Sequence, residues 1–176
     1  MSKDLQDLLV TCPPGRTHWR DYEDICVKIL EHLFVPPLGN VRLQSETKTR
    51  LHKRDILIRV PYSVQGFWQY VKYRFNCESV IAECKNYGHP IAPNSVVITS
   101  KYFGKQRLGT FGMILCRKGP SVSAMKEIER MWKKEETLLL CLSDIDTLKM
   151  LSLKGQGHDP TSWIEQRLHA FLEGLE

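Results

Sequence analysis

The chain has 176 residues, a length that suits one domain with one hydrophobic core. Apolar residues make up 42% and charged residues 26%, a globular balance that excludes a disordered tail, a low-complexity tract or a solenoid repeat. The longest apolar stretches fall far short of the roughly 20 residues that span a bilayer, and the net charge of +5 is a mild basic excess that fits a polyanionic partner.

The first residues, Met1 to Asp7, carry acids and no long apolar run, so they are not read as a secretory signal. The expectation is a cytoplasmic chain with no membrane partner. Cys26, Cys84, Cys116 and Cys141 sit inside apolar patterns, and there is no CxxC pair, which predicts reduced, buried thiols rather than disulfides or a zinc site.

Residues 1–17 read as a lead-in in which Leu5, Leu8 and Leu9 form one or two helical turns before Cys12-Pro13-Pro14-Gly15 breaks them. Thr17 is the expected N-cap of the next helix. From His18 to Leu33, Trp19, Tyr22, Ile25, Cys26, Ile29, Leu30 and Leu33 recur at helical spacing, with Glu23 at the edge of that stripe. Val35-Pro36-Pro37-Leu38-Gly39 ends the helix.

Strands are predicted over 41–46 and 54–60, the second stopped by Pro61. Between Arg42 and Arg59 lie Arg42, Lys48, Arg50, Lys53, Arg54 and Arg59 against Glu46 and Asp55, which is either a solvated loop face or a phosphate-contacting one; its place beside Asp55 favours phosphate. Residues 64–76 read as an inserted helix, 79–84 as a strand and 94–106 as a helix. A strand over 111–117 follows, then an amphipathic helix over 121–136 capped by Ser121, and a buried strand over 137–142. Asp144 or Asp146 caps a short helix to Leu153, 154–157 is a turn, and 160–172 is a terminal helix. No boundary divides the chain. It reads as one domain over 1–176, with 1–17 as lead-in and 158–176 as the C-terminal helix. The alternation of strands and helices predicts an α/β fold, a central mixed sheet flanked by helices on both faces.

The chemistry gathers at strand ends. Glu83 and Lys85 are two apart, so on a strand they project to one side while Cys84 points into the core. Asp55 opens the apolar run Ile56-Leu57-Ile58. Asp55 and Glu83 together supply the hard oxygen ligands that Mg²⁺ or Mn²⁺ prefers. Lys85 would orient a water or steady charge on a phosphorane. Glu23 would serve a second ion or a metal-bound water. The plainer alternative is an edge salt-bridge arrangement of Asp55 and Glu83 with Arg54 and Lys85. Gln44 and Ser45 are candidates for backbone phosphate, Tyr87 for stacking on a base, and Lys101, Lys105 and Arg107 for a nucleic-acid channel. His18, His52 and His89 have no partner at ligand spacing, and His52 is the nearest of them to the candidate site.

Asp55, then Glu83-Cys84-Lys85, with Glu23 on the preceding helix, resembles the PD-(D/E)xK nuclease superfamily and its restriction-endonuclease-like fold, in particular its Mrr-like members. The strings Ile81 to Tyr87, Arg54 to Ile58 and Tyr22 to Cys26 carry the likeness, which extends over about residues 18–145. Arg54 stands where the name-giving proline would be, and the long interval from Asp55 to Glu83 holds the inserted helix. The resemblance implies Mg²⁺-dependent hydrolysis of DNA phosphodiesters in phage defence, restriction or repair. It makes Asp55 and Glu83 metal ligands, Lys85 the catalytic lysine, and Glu23 a further acid with Asp24 as its rival. It also implies a homodimer or a partner subunit that supplies specificity. Read from the residues themselves, the candidate DNA contacts are Gln44, Lys48, Arg50, Lys53, Arg54, Tyr87, Lys101 and Lys105. The alternatives are a nuclease-fold module that binds nucleic acid without cutting, and an interaction domain using the terminal helices with Trp132 or Trp163.

Overall fold

The computed structural model describes residues 1–43, 56–103 and 108–175. Five strands form one sheet in the order β1 (Val41–Leu43), β2 (Ile56–Arg59), β3 (Ser79–Lys85), β4 (Phe111–Cys116) and β5 (Leu138–Ser143). The β1–β2 and β2–β3 pairs are antiparallel, and the β3–β4 and β4–β5 pairs are parallel. Parallel neighbours need a crossover. These are α4 (Pro93–Ser100) between β3 and β4, and α5 (Val122–Glu135) between β4 and β5.

Strand alternation divides the core in two. One face presents Ile56, Ile58, Val80, Ala82, Met113, Leu115, Leu140 and Leu142 to α2 (Trp19–Phe34), α3 (Phe67–Arg74) and the remaining helices α1 (Ser2–Thr11), α6 (Asp144–Gly155) and α7 (Thr161–Glu173). The apolar stripe of α2 is buried along its length, from Tyr22 through Cys26, Ile29 and Leu30 to Phe34. Each large aliphatic side chain so buried contributes roughly 1.5–3 kcal/mol. The other face carries Ile114, Cys116, Leu139 and Cys141 under Val96 of α4 and Ala124, Ile128 and Met131 of α5. The expectation of helices on both faces therefore holds over β4 and β5. Over β1 and β2 the second face has exposed Arg42 and Arg59 and half-buried Leu57.

Several boundaries differ from the sequence expectation, each for a local reason. The lead-in is a full helix of ten residues. Its Leu5 and Leu9 are buried, while Leu8 is exposed, because only the i, i+4 pair faces the core. Thr17 does not cap α2: a 3₁₀ turn, Arg16–His18, runs straight into it, and His18 stands at the N-cap without a side-chain cap. Neither Asp144 nor Asp146 is the cap of α6. Ser143 is, with its hydroxyl accepting from the Asp146 amide at 3.3 Å while the Asp146 carboxylate accepts from the Ser143 amide at 2.8 Å, a reciprocal capping box. Ser121 caps α5 as expected, accepting from the Ala124 amide at 3.2 Å. Gly109, at φ +63°, lies against the Phe75 carbonyl and the Cys77 thiol, so the turn into β4 admits no side chain there. All six cysteines are free. No helix among the described residues is long and apolar enough to cross a membrane.

The helix α1 is tied to α2 by Ser2 Oγ and His32 Nε2 at 2.7 Å. Burial first, then Lys154 and the N-terminal ammonium, lower the His32 pKa from its ordinary 6.5. The unfolded chain therefore takes up this proton at a higher pH than the folded one, and stability is lost as pH falls below the ordinary histidine range. Thermal unfolding followed by circular dichroism should show a midpoint that drops from about pH 7 to about pH 5, with a shallower drop in His32→Gln.

Candidate active site

The three parallel strands end together, and each is followed or closed by a polar residue: Asn86 after β3, Arg117 after β4 and Asp144 after β5. The Arg117 guanidinium joins them. It donates from Nε to Asn86 Oδ1 at 2.7 Å, from Nη1 to Asp144 Oδ2 at 2.9 Å and to the Leu9 carbonyl at 2.9 Å, and from Nη2 to the Cys12 carbonyl at 2.6 Å. It lies over the Tyr22 ring at 4.3 Å, and the Tyr22 hydroxyl donates to Asp144 Oδ1 at 3.0 Å. Burial opposes the Arg117 charge, but the Asp144 hydrogen bond and charge outweigh it and raise the guanidinium pKa further. Burial in turn raises the Asp144 carboxyl pKa, with the Arg117 and Tyr22 hydrogen bonds pulling the other way.

Asn86 Nδ2 lies 3.1 Å from each of the Pro13, Gly15 and His18 carbonyls, and the Asn86 carbonyl accepts from the Gly15 amide at 2.8 Å. Two N–H groups are shared among three carbonyls, so the entry to α2 is held against the end of β3. Asn86→Ala should cost about 1–3 kcal/mol in urea-induced unfolding, because these carbonyls and Arg117 Nε each lose a buried partner.

This clamp positions the candidate chemical groups. Glu83 and Lys85 occupy the last turn of the β3 pleat and project to the same face, away from α2. Lys85 Nζ donates to Glu83 Oε1 at 2.5 Å, and both side chains are only 8% exposed. The expected open rim is thus a buried ion pair. Cys84, between them, faces α2. A hydrogen bond with Cys26 and burial push its thiol well above the usual range, with the Glu83 and Glu23 carboxylates adding to the effect. Glu23 is therefore close enough to β3 to act on it, although α2 packs on the face opposite to Glu83 and Lys85. Glu23 is buried and its rival Asp24 is exposed, so only Glu23 points toward the strand.

Asp55 lies outside the described residues, as do Gln44, Ser45, Lys48, Arg50, His52, Lys53, Arg54, Lys105 and Arg107. The residue that follows Asp55 in the chain, Ile56, pairs across the β2–β3 ladder with Ala82, which precedes Glu83. Tyr87 is half-exposed and stacks on His89, with ring centroids 5.4 Å apart and planes at 13°. Lys101 is exposed just past α4. His18 pairs with Asp21 at 3.1 Å. Among the described residues no group of three or more His, Cys, Asp or Glu side chains gathers at metal-holding distance.

The Asn86, Arg117 and Asp144 cluster was missed in the sequence. A signal was present: each residue follows directly on an apolar strand run, where a polar side chain ends at the sheet's edge. Compared with protein-family models, with curated proteins and with solved structures, the chain has no match.

Proposed function

We propose that the chain is a metal-dependent endonuclease that hydrolyses DNA phosphodiester bonds on a restriction-endonuclease-like fold, with Asp55, Glu83 and Lys85 as its reacting set. The observation that carries this reading is that Glu83 and Lys85 share one face at the end of β3 and meet there. An antiparallel neighbour, β2, brings the residue after Asp55 opposite the residue before Glu83. The five-stranded mixed sheet flanked by helices is compatible with it.

The donor chemistry fits a hard divalent cation, since Glu83 and Asp55 are carboxylates with no soft ligand beside them except a thiol that burial keeps protonated. Asp55 and Glu83 would hold Mg²⁺ or Mn²⁺, which when bound supplies Lewis-acid polarisation of the phosphoryl group and an acidified water. Lys85 places its ammonium where charge builds on the phosphorane oxygens, in surroundings shielded from bulk water, where that interaction is strengthened. Glu83 orients that ammonium through their hydrogen bond. Glu23, buried on α2 and near enough to β3 to act on the Cys84 thiol, would serve a second ion or a metal-bound water.

One observation favours a second reading, a nuclease-fold module that binds nucleic acid without cutting: the Glu83 carboxylate is already engaged and neither member of the pair is open to solvent. Plasmid nicking with Mg²⁺, Mn²⁺ and EDTA separates the two. Cutting that needs the metal and is lost in Glu83→Gln supports the endonuclease. Salt-sensitive DNA binding without cutting supports the module. Ca²⁺ should support binding with little cutting, and brisk cleavage in Ca²⁺ alone contradicts the assignment.

A further inference from the structure

The open part of the second sheet face holds a cavity of about 380 Å³. It lies at the far end of β2 and β3 from Glu83 and Lys85, where Arg59 pairs with Ser79. Ser79 on the lining and Lys85 stand at opposite ends of β3, roughly 20 Å apart at about 3.3 Å per residue. Ladder register puts Arg42 beside Leu57, Leu57 beside Ile81 and Arg59 beside Ser79. Arg42, Arg59, Glu83 and Lys85 therefore share one face.

Three cations line the cavity: Arg42 and Arg59 from the sheet, and Lys72 from α3. Lys72 is only 7% exposed. Its ammonium donates to the Val60 carbonyl at 3.1 Å and the Pro61 carbonyl at 3.4 Å, and sits 4.1 Å from the Tyr62 ring centroid. Carbonyls and a ring face hold the ammonium in place without neutralising it. Glu78 is the one acid on the lining, and Asn40 and Ser79 add neutral hydrogen-bonding groups. The ammonium satisfies two carbonyls and brings its positive charge to the cavity lining. Arg42 and Arg59 bring two guanidinium groups to the lining of the same cavity, and a guanidinium fork suits a tetrahedral oxyanion.

We propose that this cavity binds a phosphate-class oxyanion, gripped by Arg42, Arg59 and the Lys72 ammonium on its lining. The anion comes either from a nucleic-acid backbone or from a free phosphate or nucleotide. The backbone source rests on the endonuclease reading, because the cavity and the Glu83–Lys85 pair would then lie along one strand path. Oxyanion binding itself does not rest on it.

The test is binding, in EDTA so that no cutting intervenes. Inorganic phosphate and a mononucleotide are titrated by calorimetry, and a short labelled DNA duplex by anisotropy at several salt concentrations. The proteins are the wild type, Arg42→Gln/Arg59→Gln and Lys72→Met, each checked for an unchanged fold by circular dichroism. A free-anion site predicts that the small ligands bind the wild type and lose about fivefold or more in affinity in the double variant. A backbone site predicts weak or no binding of small ligands, weaker duplex binding in the double variant, and a log–log salt slope shallower by about two. The double variant alters only exposed side chains, so it decides the matter even where Lys72→Met unfolds. Small-ligand and duplex binding both indifferent to the arginines overturns the proposal. Nicking by Glu83→Gln is measured separately with Mg²⁺, so the failure of the endonuclease reading is distinct from the failure of oxyanion binding.

Discussion

Glu83→Gln, Lys85→Gln and Asp55→Ala should each lower Mg²⁺-dependent plasmid nicking by about 10² or more at saturating DNA. Phosphoryl transfer leaves little covalent work for a protein, and most of the acceleration comes from charge placed where the phosphorane carries it. Lys85 is the cation that the described residues offer for that task, and its ammonium is fixed by one short hydrogen bond to Glu83. Glutamine at either position keeps a hydrogen bond between the two side chains and removes only the charge. The remaining charge is then buried without its ion partner, so denaturant unfolding of each variant accompanies the nicking assay, and a loss of rate in a variant that stays folded reports electrostatics. Both groups lie under cover, each 8% exposed, so the rate also depends on the scissile phosphate reaching them. A wild-type chain that binds DNA and never nicks it, across Mg²⁺ and Mn²⁺, would remove the endonuclease reading and leave the binding module. Unchanged nicking in any of the three variants would remove that residue from the reacting set.

The sheet and most of its helices were legible because apolar periodicity survives folding almost unaltered. The α2 stripe and the continuous apolar runs of β4 and β5 are read directly from spacing, since strands buried on both faces and helices buried on one have different periods. Helix starts were less legible. Ser143 and Asp146 form a reciprocal box, and either acid at 144 or 146 looks like a cap until the hydrogen bonds are seen. For the site, the pairing of Glu83 with Lys85 followed from the two-residue period. Its burial did not, because cover comes from elements distant in the chain, which periodicity along one strand does not encode. The same holds for Arg117. Its partners are Leu9, Cys12, Asn86 and Asp144, brought together only by the shared ending of three parallel strands. Lys72 lies on the inserted helix, and its burial against Val60 and Pro61 depends on how α3 meets the end of β2, which spacing along the helix does not encode.

The stability of the Glu83–Lys85 pair makes a second, sharper expectation. An ion pair with both side chains 8% exposed has lost most of its hydration, and its mutual attraction offsets that loss only in part. Removing one partner leaves the other charge buried and alone. Lys85→Met should therefore lower the free energy of unfolding by about 3–5 kcal/mol, and Glu83→Leu by a similar amount. Removing both removes the desolvation cost as well. The double variant Glu83→Leu/Lys85→Met should match the wild type or exceed it by about 1–4 kcal/mol, read from denaturant curves with an unchanged slope. The sign of that difference matters for function. A pair that can be replaced by apolar side chains without loss is not held in the fold for stability, and its place at the end of β3 is then explained by chemistry. If the double variant instead loses as much as the two single variants combined, the pair is a structural element of β3, and the reacting set must be sought elsewhere.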